Sequence, residues 1–393
     1  MATGVFGGRC VDTHSAQIFD RGGTKRIGPL LDLSRVQWER ARDDISEASI
    51  RLEAAACAAQ EDFLARIRSH RHELVLFRGQ ERVWEGPIHR VGLHGSYAEI
   101  AAKDVLEYVN KTPLTQKWDN SYAGGIDRTT EVTTRIGDII VYELTHGRIQ
   151  KNAAGVDVAI PAWESLSPPA NVRPYLVIHH APNEARTSAL TLPYEMSVAE
   201  HLDGLARTAG IDYTVVGRAI HVWDVSRNLG VLTQMTEANF ANEVVVTEYG
   251  ADHAQASYVV SQNGVYGSAV NEENLDYYGP WTTIFTSYNE EGSREPTQSE
   301  LDSQASRNLS GRSPAPIEVR IPDNSGIVLT DVLRINHLVP GVQVPLRATL
   351  NARKIVQTQK IDHVKVVETP DNEDVQVTLT PATKPDSDDP EED

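Results

Sequence analysis

The stretch Glu73–Val91, ELVLFRGQERVWEGPIHRV, reads as two short strands folded about a turn. Leu74, Leu76 and Val83 are its apolar positions, Gly79–Gln80 supplies the turn, and the second strand runs through Pro87 to close in Ile88-x-x-Val91. A later stretch, Val344–Val364, VPLRATLNARKIVQTQKIDHV, has the same rhythm. It offers a strand, a turn near Asn351–Ala352, a second strand over Lys354–Gln359 and a closing Ile361-x-x-Val364. Aligned on their ends, Val83 matches Val356, Ile88 matches Ile361 and Val91 matches Val364. Either the chain is internally duplicated, or two polar hairpins share a common rhythm. Duplication predicts two related β modules with other material between them.

Length and composition bound the rest. A chain of 393 residues predicts about two to four domains and a sizeable core. With 40% hydrophobic and 23% charged residues it has the balance of a folded globular protein. The formal net charge of −18 argues against a surface built to grip nucleic acid or anionic membrane, which needs clustered Lys and Arg. Cys10 and Cys57 are too few for a disulfide scaffold and form no CxxC pair. The opening residues lack the basic-then-apolar pattern of a signal peptide, and no apolar run approaches the ~20 residues of a bilayer span. Synthesis and folding in cytoplasm are expected.

Outward from the first hairpin, residues 1–28 are glycine-rich and weakly patterned and read as an arm. Leu30–Arg42 and Ala48–Glu53 read as strands, and Ala54–Arg68 as helical, with Phe63, Leu64 and Ile67 on one side. Ile136, Ile139, Ile140 and Leu144 make a helical stripe. Tyr175–His179 and Ser188–Leu192 are β-rich. Ser197-x-x-Glu200 is a capping box opening a helix with Val198, Leu202, Leu205 and Ala206 on its buried face and Gly210 at its stop. Ile211–Val216 and Ala219–Trp223 then form a strand pair that packs with that helix as a small α/β module. Asn242–Thr247 and Tyr258–Val260 are expected to pair, Gln304–Leu309 to form a short helix, and Ile317–Arg320 and Ile327–Asp331 to be strands. The acidic ATKPDSDDPEED end has nothing apolar with which to offset ordering.

Chemistry is sparse. His70 and His72 would share a strand face, but no carboxylate or cysteine set completes a metal-ligand spacing, and HExxH is absent. The adjacent His179 and His180 point to opposite faces of a strand. Asp43–Asp44 suit turn amides better than acid–base work. Neither GxSxG nor GxxxxGK[ST] occurs, and Cys57 reads as a small buried side chain rather than a nucleophile. The aromatic run Tyr277–Tyr288, with Glu272, Glu273 and Asp276 nearby, is the best case for a sugar-stacking surface. Packing or a protein interface is the simpler reading. No catalytic residue, metal or cofactor is expected.

Three segments, WERARDDISEASIRL, HELVLFRGQERVWEGPI and AEIAAKDVLEYV, resemble the opening of the tail-tip hub proteins (minor tail proteins) of long-tailed actinobacterial phages, relatives of contractile-tail baseplate hubs. EHLDGLARTAGIDYTVVGRAIHVW resembles their middle α/β element, and PGVQVPLRATL with IDHVKV their closing β module. The resemblance implies a mainly β, mixed β and α+β chain with two similar β-barrel hub domains. Its divisions would be an N-terminal arm over 1–29, a first barrel over 30–104, inserted α/β domains over 105–229, a second barrel with a helical insertion over 230–379, and a disordered tail over 380–393. It further implies a virion protein, homotrimeric, that rings the DNA exit channel at the tail tip and meets the distal tail protein, the tape measure and receptor-binding or central tip proteins. Phage DNA would pass without specific binding. Trp38, Trp84, Ile88, Val91, Tyr278, Trp281, Phe285, Ile361 and Val364 are the candidate interface or structural residues. The alternative is a host cell-wall glycan-binding or glycan-hydrolysing tail protein that uses residues 277–288.

Overall fold

The computed structural model describes residues 10–115, 118, 131–146, 148–151, 153–166, 171–181, 195–225, 227–241, 245–248, 250–261, 264–273, 275–287, 296–309, 312, 317–320, 326–350 and 353–381. Seven strands lie near the start: β1 (His14–Asp20), β2 (Arg26–Leu30), β3 (Leu33–Ala41), β4 (Glu47–Glu53), β5 (His72–Arg78), β6 (Glu81–Leu93) and β7 (Tyr97–Lys103). Helices α1 (Ala54–Ala59) and α2 (Glu61–Leu64) lie between β4 and β5. Next come α3 (Leu106–Asn110), α4 (Val132–Thr145), β8 (Arg148–Lys151), β9 (Asp157–Ile160), β10 (Val177–His180), α5 (Val198–Ala209), β11 (Ile211–Val216) and β12 (Ala219–Asp224). The remainder holds β13 (Val245–Glu248), β14 (Ala256–Ser261), β15 (Tyr266–Val270), α6 (Leu275–Tyr278), β16 (Thr282–Ser287), α7 (Gln298–Leu309), β17 (Ile317–Arg320), β18 (Gln343–Leu350), β19 (Arg353–Glu368) and β20 (Glu373–Pro381).

The two hairpins of the sequence are β5–β6 and β18–β19, and they occupy matching places in one 12-stranded sheet. In the first unit β3 pairs with β4, β4 with β7, β7 with β6 and β6 with β5, all antiparallel. In the second, β13 pairs with β17, β17 with β20, β20 with β19 and β19 with β18, again antiparallel. Each long strand carries a bulge just past the matched isoleucine. The register slips between Ile88 and Arg90 against β7, and between Ile361 and His363 against β20. A bulge inserts one residue and reverses which edge the following amides face. Its recurrence at the same step, within the same order of pairing, makes these two units a structural repeat.

Neither unit closes into a β-barrel, which corrects the expectation of two barrel domains. The sheet is an open path from β13 to β2, and among the described residues its end strands do not pair with one another. The edge of β3, which closure of the first unit would have used, is taken by β19 of the second, from Val36↔Glu368 to Ala41↔His363. Strand periodicity specifies a face, not the neighbour across an edge. One apolar core serves both units, containing Val36, Trp38 and Ile88 from the first and Ile361, Val364 and Val366 from the second.

The insertions follow their local signals. Ser197 Oγ accepts the Glu200 amide, the Glu200 carboxylate accepts the Ser197 amide, and Gly210 ends α5 at φ +64°. Val198, Leu202 and Leu205 of that helix pack with Ile136, Ile139 and Ile140 of α4 against Ile211, Tyr213, Ile220 and Val222. The sheet beneath has order β10-β12-β11, with β10 parallel to β12. A third unit places α7 on one face of the sheet β15-β14-β16 through Leu301 and Ala305.

Several expectations change. The glycine-rich opening supplies β1 and β2, because β1 adds to the edge of β5 from His14↔Arg78 to Asp20↔His72. β13 pairs with β17, not with β14. The segment between them, 249–316, carries the third unit, and local sequence gave no sign of that long return. Ile327 makes an isolated bridge to Phe240 and donates its amide to the Val375 carbonyl, and 328–331 form no strand. Ser188–Leu192 and residues 382–393 lie outside the described residues.

Candidate assembly surfaces

The joint between the two repeats is built from backbone pairing and a buried polar clip. Trp38 of β3 pairs with Val366 of β19, and both are fully buried. The Trp38 indole N–H donates to His14 Nε2 at 3.1 Å, and His14 Nδ1 lies 2.7 Å from Glu368 Oε2. An indole nitrogen can only donate, so Nε2 is the acceptor and Nδ1 carries the proton toward Glu368. The same carboxylate accepts the amides of Thr13 and His14, each at 2.8 Å. Burial works to raise its pKa, but the bonds from the His14 ring and the Thr13 amide outweigh it and hold the group at about 2. Arg40, its guanidinium 5.0 Å from the Trp38 ring centroid, is buried among carbonyl oxygens, donating to Leu338 at 3.0 Å and Val83 at 2.8 Å. Burial lowers its pKa to about 10.

Two ionic clusters seat the inserted α/β unit on this joint. Arg42, just past β3, donates to Asp362 at 2.8 Å and to Asp212 of β11 at 3.1 Å. Lys360 of β19 donates to Asp212 at 3.0 Å. Asp362 is the residue at the β19 bulge, so the bulge aims it at Arg42. Asp43 accepts the Tyr213 amide, yet burial and the nearby Asp212 charge raise its pKa to about 7. On the other side Arg218, in the β11–β12 turn, donates to Glu73 at 2.8 Å and Glu85 at 3.2 Å. Glu73 also accepts from the Tyr108 hydroxyl and the Gly22 amide. Both hairpins of the repeat therefore carry charged side chains that receive the insertion.

The sequence-derived candidates separate into two groups. Trp38, Trp84, Ile88, Ile361 and Val364 are core residues, and Val91 is half-buried against that core. The Trp84 indole N–H donates to Ser46 Oγ at 3.3 Å. Tyr278, Trp281 and Phe285 belong to the third unit. Phe285 packs under α7 with the Arg312 guanidinium 5.5 Å from its ring centroid. Tyr278 lies against His253 with ring centroids 4.5 Å apart. Trp281 is 63% exposed and Tyr277 is 83% exposed. Tyr266, Val270 and Ile284, also exposed, alternate along β15 and β16 with Ala269 and Phe285 and so lie on the face opposite α7. Among the described residues no group of three or more His, Cys, Asp or Glu is placed to hold a metal. His179 stacks on His221 across the β10–β12 pair instead.

His14, Glu368, Glu73, Glu85 and Arg218 carry the joints and were not singled out by sequence reasoning. The signal for Glu73 and Glu85 was there: each is a charge inside a strand, Glu85 between the buried Trp84 and Gly86 and Glu73 beside the buried Leu74. His14 and Glu368 are 354 residues apart, and no local pattern links them.

Whole-fold comparison places this architecture among tail proteins. The 43 kDa tail protein of prophage MuSo2 from Shewanella oneidensis superposes with a TM-score of 0.57 at 10% identity, covering 94% of this chain and 100% of that one. A tail protein from Neisseria meningitidis MC58 gives 0.57 at 11% identity, over 94% and 97% of the two chains. The prophage tail protein gp18 from Listeria monocytogenes EGD-e gives 0.56 at 8%, over 94% and 95%. No family model matches the chain, and no curated protein matches it in sequence. The fold is thus that of phage tail proteins, and the likeness is not particular to phages of actinobacteria.

Proposed function

We propose that the chain is a structural subunit of a phage tail, a hub at the tail tip, and that it acts by assembly rather than catalysis. The observation that carries this reading is the whole-chain likeness to tail proteins, including all of the Shewanella protein. The internal repeat supports it: two equivalent units per chain let three subunits present six similar positions around an axis, matching a sixfold tail to a threefold tip. In this reading a homotrimeric ring surrounds the DNA exit path and joins the distal tail protein and tape measure to receptor-binding or central tip proteins. The resemblance of its segments to actinobacterial minor tail proteins gives the host group we favour. Light scattering and negative-stain imaging of the full chain test it. Trimers with a central opening are expected, and a monomer at all concentrations refutes the reading.

A second reading rests on exposed Trp281 and Tyr277, side chains suited to stacking on a sugar ring. Binding of cell-wall glycans that is lost in Trp281→Ala, or glycan hydrolysis by the purified protein, would favour it over the hub.

A further inference from the structure

The repeat shows what is missing from one edge of the molecule. On β19 two strands lie end to end along one edge: β18 pairs with Arg353–Lys360, and β3 with His363–Glu368. β20 fills the opposite edge. On the equivalent strand β6, β5 covers Glu81–Pro87 of the first edge, and β7 pairs with Ile88–Leu93 on the other. Nothing among the described strands occupies the place on β6 that β3 takes on β19.

Backbone parity shows that this edge is open. The His94 amide bonds back to the Tyr97 carbonyl, so in the alternation of an antiparallel ladder Gly92 also faces β7, while Val91 and Leu93 point their amides the other way. Leu93 is 67% exposed, whereas its repeat counterpart Val366 is 0% exposed beneath the joint with β3. At the far end of the sheet β13 pairs with β17 alone among the described residues. β13 is the counterpart of β3, the strand whose outer edge β19 covers.

We propose that the open edge of β6 in one copy pairs antiparallel with the open edge of β13 in a second copy, repeating between chains the β19–β3 joint made within each chain. The register follows from the repeat. Ile88 matches Ile361, so Leu93 matches Val366. Ala102 and Leu379, their respective partners, match. So do Ala48 and Val319, and therefore Trp38 and Val246. The Val366↔Trp38 pair within the chain thus becomes Leu93↔Val246 between chains, with Gly92↔Thr247 and Val91↔Glu248 beside it. The contact is head-to-tail, and each chain offers one edge of each kind, so it propagates until the rotation closes a ring. It also covers two edges that are unpaired among the described strands and that would invite uncontrolled association.

The inference rests on the assembly reading above only in taking a second copy as the partner. To test it, differently tagged full-length Leu93→Cys and Val246→Cys chains, both with Cys10→Ser and Cys57→Ala, are co-expressed and oxidised. Paired strands hold such positions about 5.5 Å apart, within disulfide reach. A mixed disulfide dimer between the two tags is expected, with neither chain cross-linking to its own kind. Leu93→Pro deletes an outward amide while leaving the bonds to β7. It is expected to weaken association at least tenfold with the circular dichroism spectrum and Tm held. Assembly without the mixed disulfide, or Leu93→Pro assembling as the parent does, overturns the edge pairing and leaves the hub reading standing. A chain that stays monomeric overturns both.

Discussion

Glu368→Gln should expose how much the clip between the repeats contributes. The carboxylate receives the His14 ring N–H at 2.7 Å and the Thr13 and His14 amides at 2.8 Å. These bonds hold its pKa at about 2, against an ordinary value of 4.5. Each unit of such a shift is worth about 1.4 kcal/mol, so the ionised group contributes roughly 3–4 kcal/mol to folding. The folded pKa is depressed, so this contribution is fully present above pH ~4.5 and is lost as pH falls toward 2. A glutamine keeps one oxygen but turns an NH2 group toward donors, so the variant forfeits the charge-assisted bonds. Urea unfolding followed by tryptophan fluorescence should show a loss of about 3–4 kcal/mol at pH 7, shrinking toward zero as the pH approaches 2. A loss under ~0.5 kcal/mol at pH 7, or one that does not change with pH, refutes the assignment of the clip.

Asp43 runs in the opposite sense. Its folded pKa is raised to about 7, so its stabilising protonated form is lost as pH rises from ~4 through 7, and Asp43→Asn should flatten that decline in Tm. His201 is buried, and burial lowers its pKa to about 4. The unfolded chain therefore takes up a proton that the folded one refuses, stability should fall as pH drops from ~6.5 to 4, and His201→Leu should remove that slope in urea titrations. Arg218→Met leaves Glu73 buried without its cation, while Glu85 keeps the Arg82 guanidinium at 3.0 Å. A loss of about 3–5 kcal/mol is expected, largely recovered in calorimetry by the double change with Glu73→Gln. Gly341 sits at φ +88° with the Trp223 ring where a Cβ would go. Gly341→Ala should cost about 2–4 kcal/mol in thermal unfolding.

Local physics made much of this molecule readable from residues alone. The capping box at Ser197, the stop at Gly210, the α4 stripe and the two hairpins each depend on neighbours within a turn or a strand length, and each is where its pattern put it. What failed depends on partners far away in the chain. The barrel expectation assumed that each unit closes on itself, whereas β19 reaches across to β3. The pairing of β13 with β17 spans an inserted unit, and no propensity encodes that leap. In sequence β1 has the look of an arm because Gly22 and Gly23 dilute its neighbourhood, yet Ala16, Ile18 and Phe19 are core residues. The joint residues were hidden for a related reason: a buried charge such as Glu73 is recognisable only when its partner, here Arg218, is known.

The β19–β3 joint also sets a timetable for synthesis. β3 leaves the ribosome early, but its edge is covered only when β19 emerges about three hundred residues later. At ~5–20 residues per second that delay is roughly 15–60 s, far longer than a hairpin needs to form. Throughout it the nascent chain displays a bare strand whose pattern suits the β19 of any neighbouring copy. Chains translated close together on one message are thus open to exchanging their final strands, and whatever delays that contact protects the yield of correctly joined subunits.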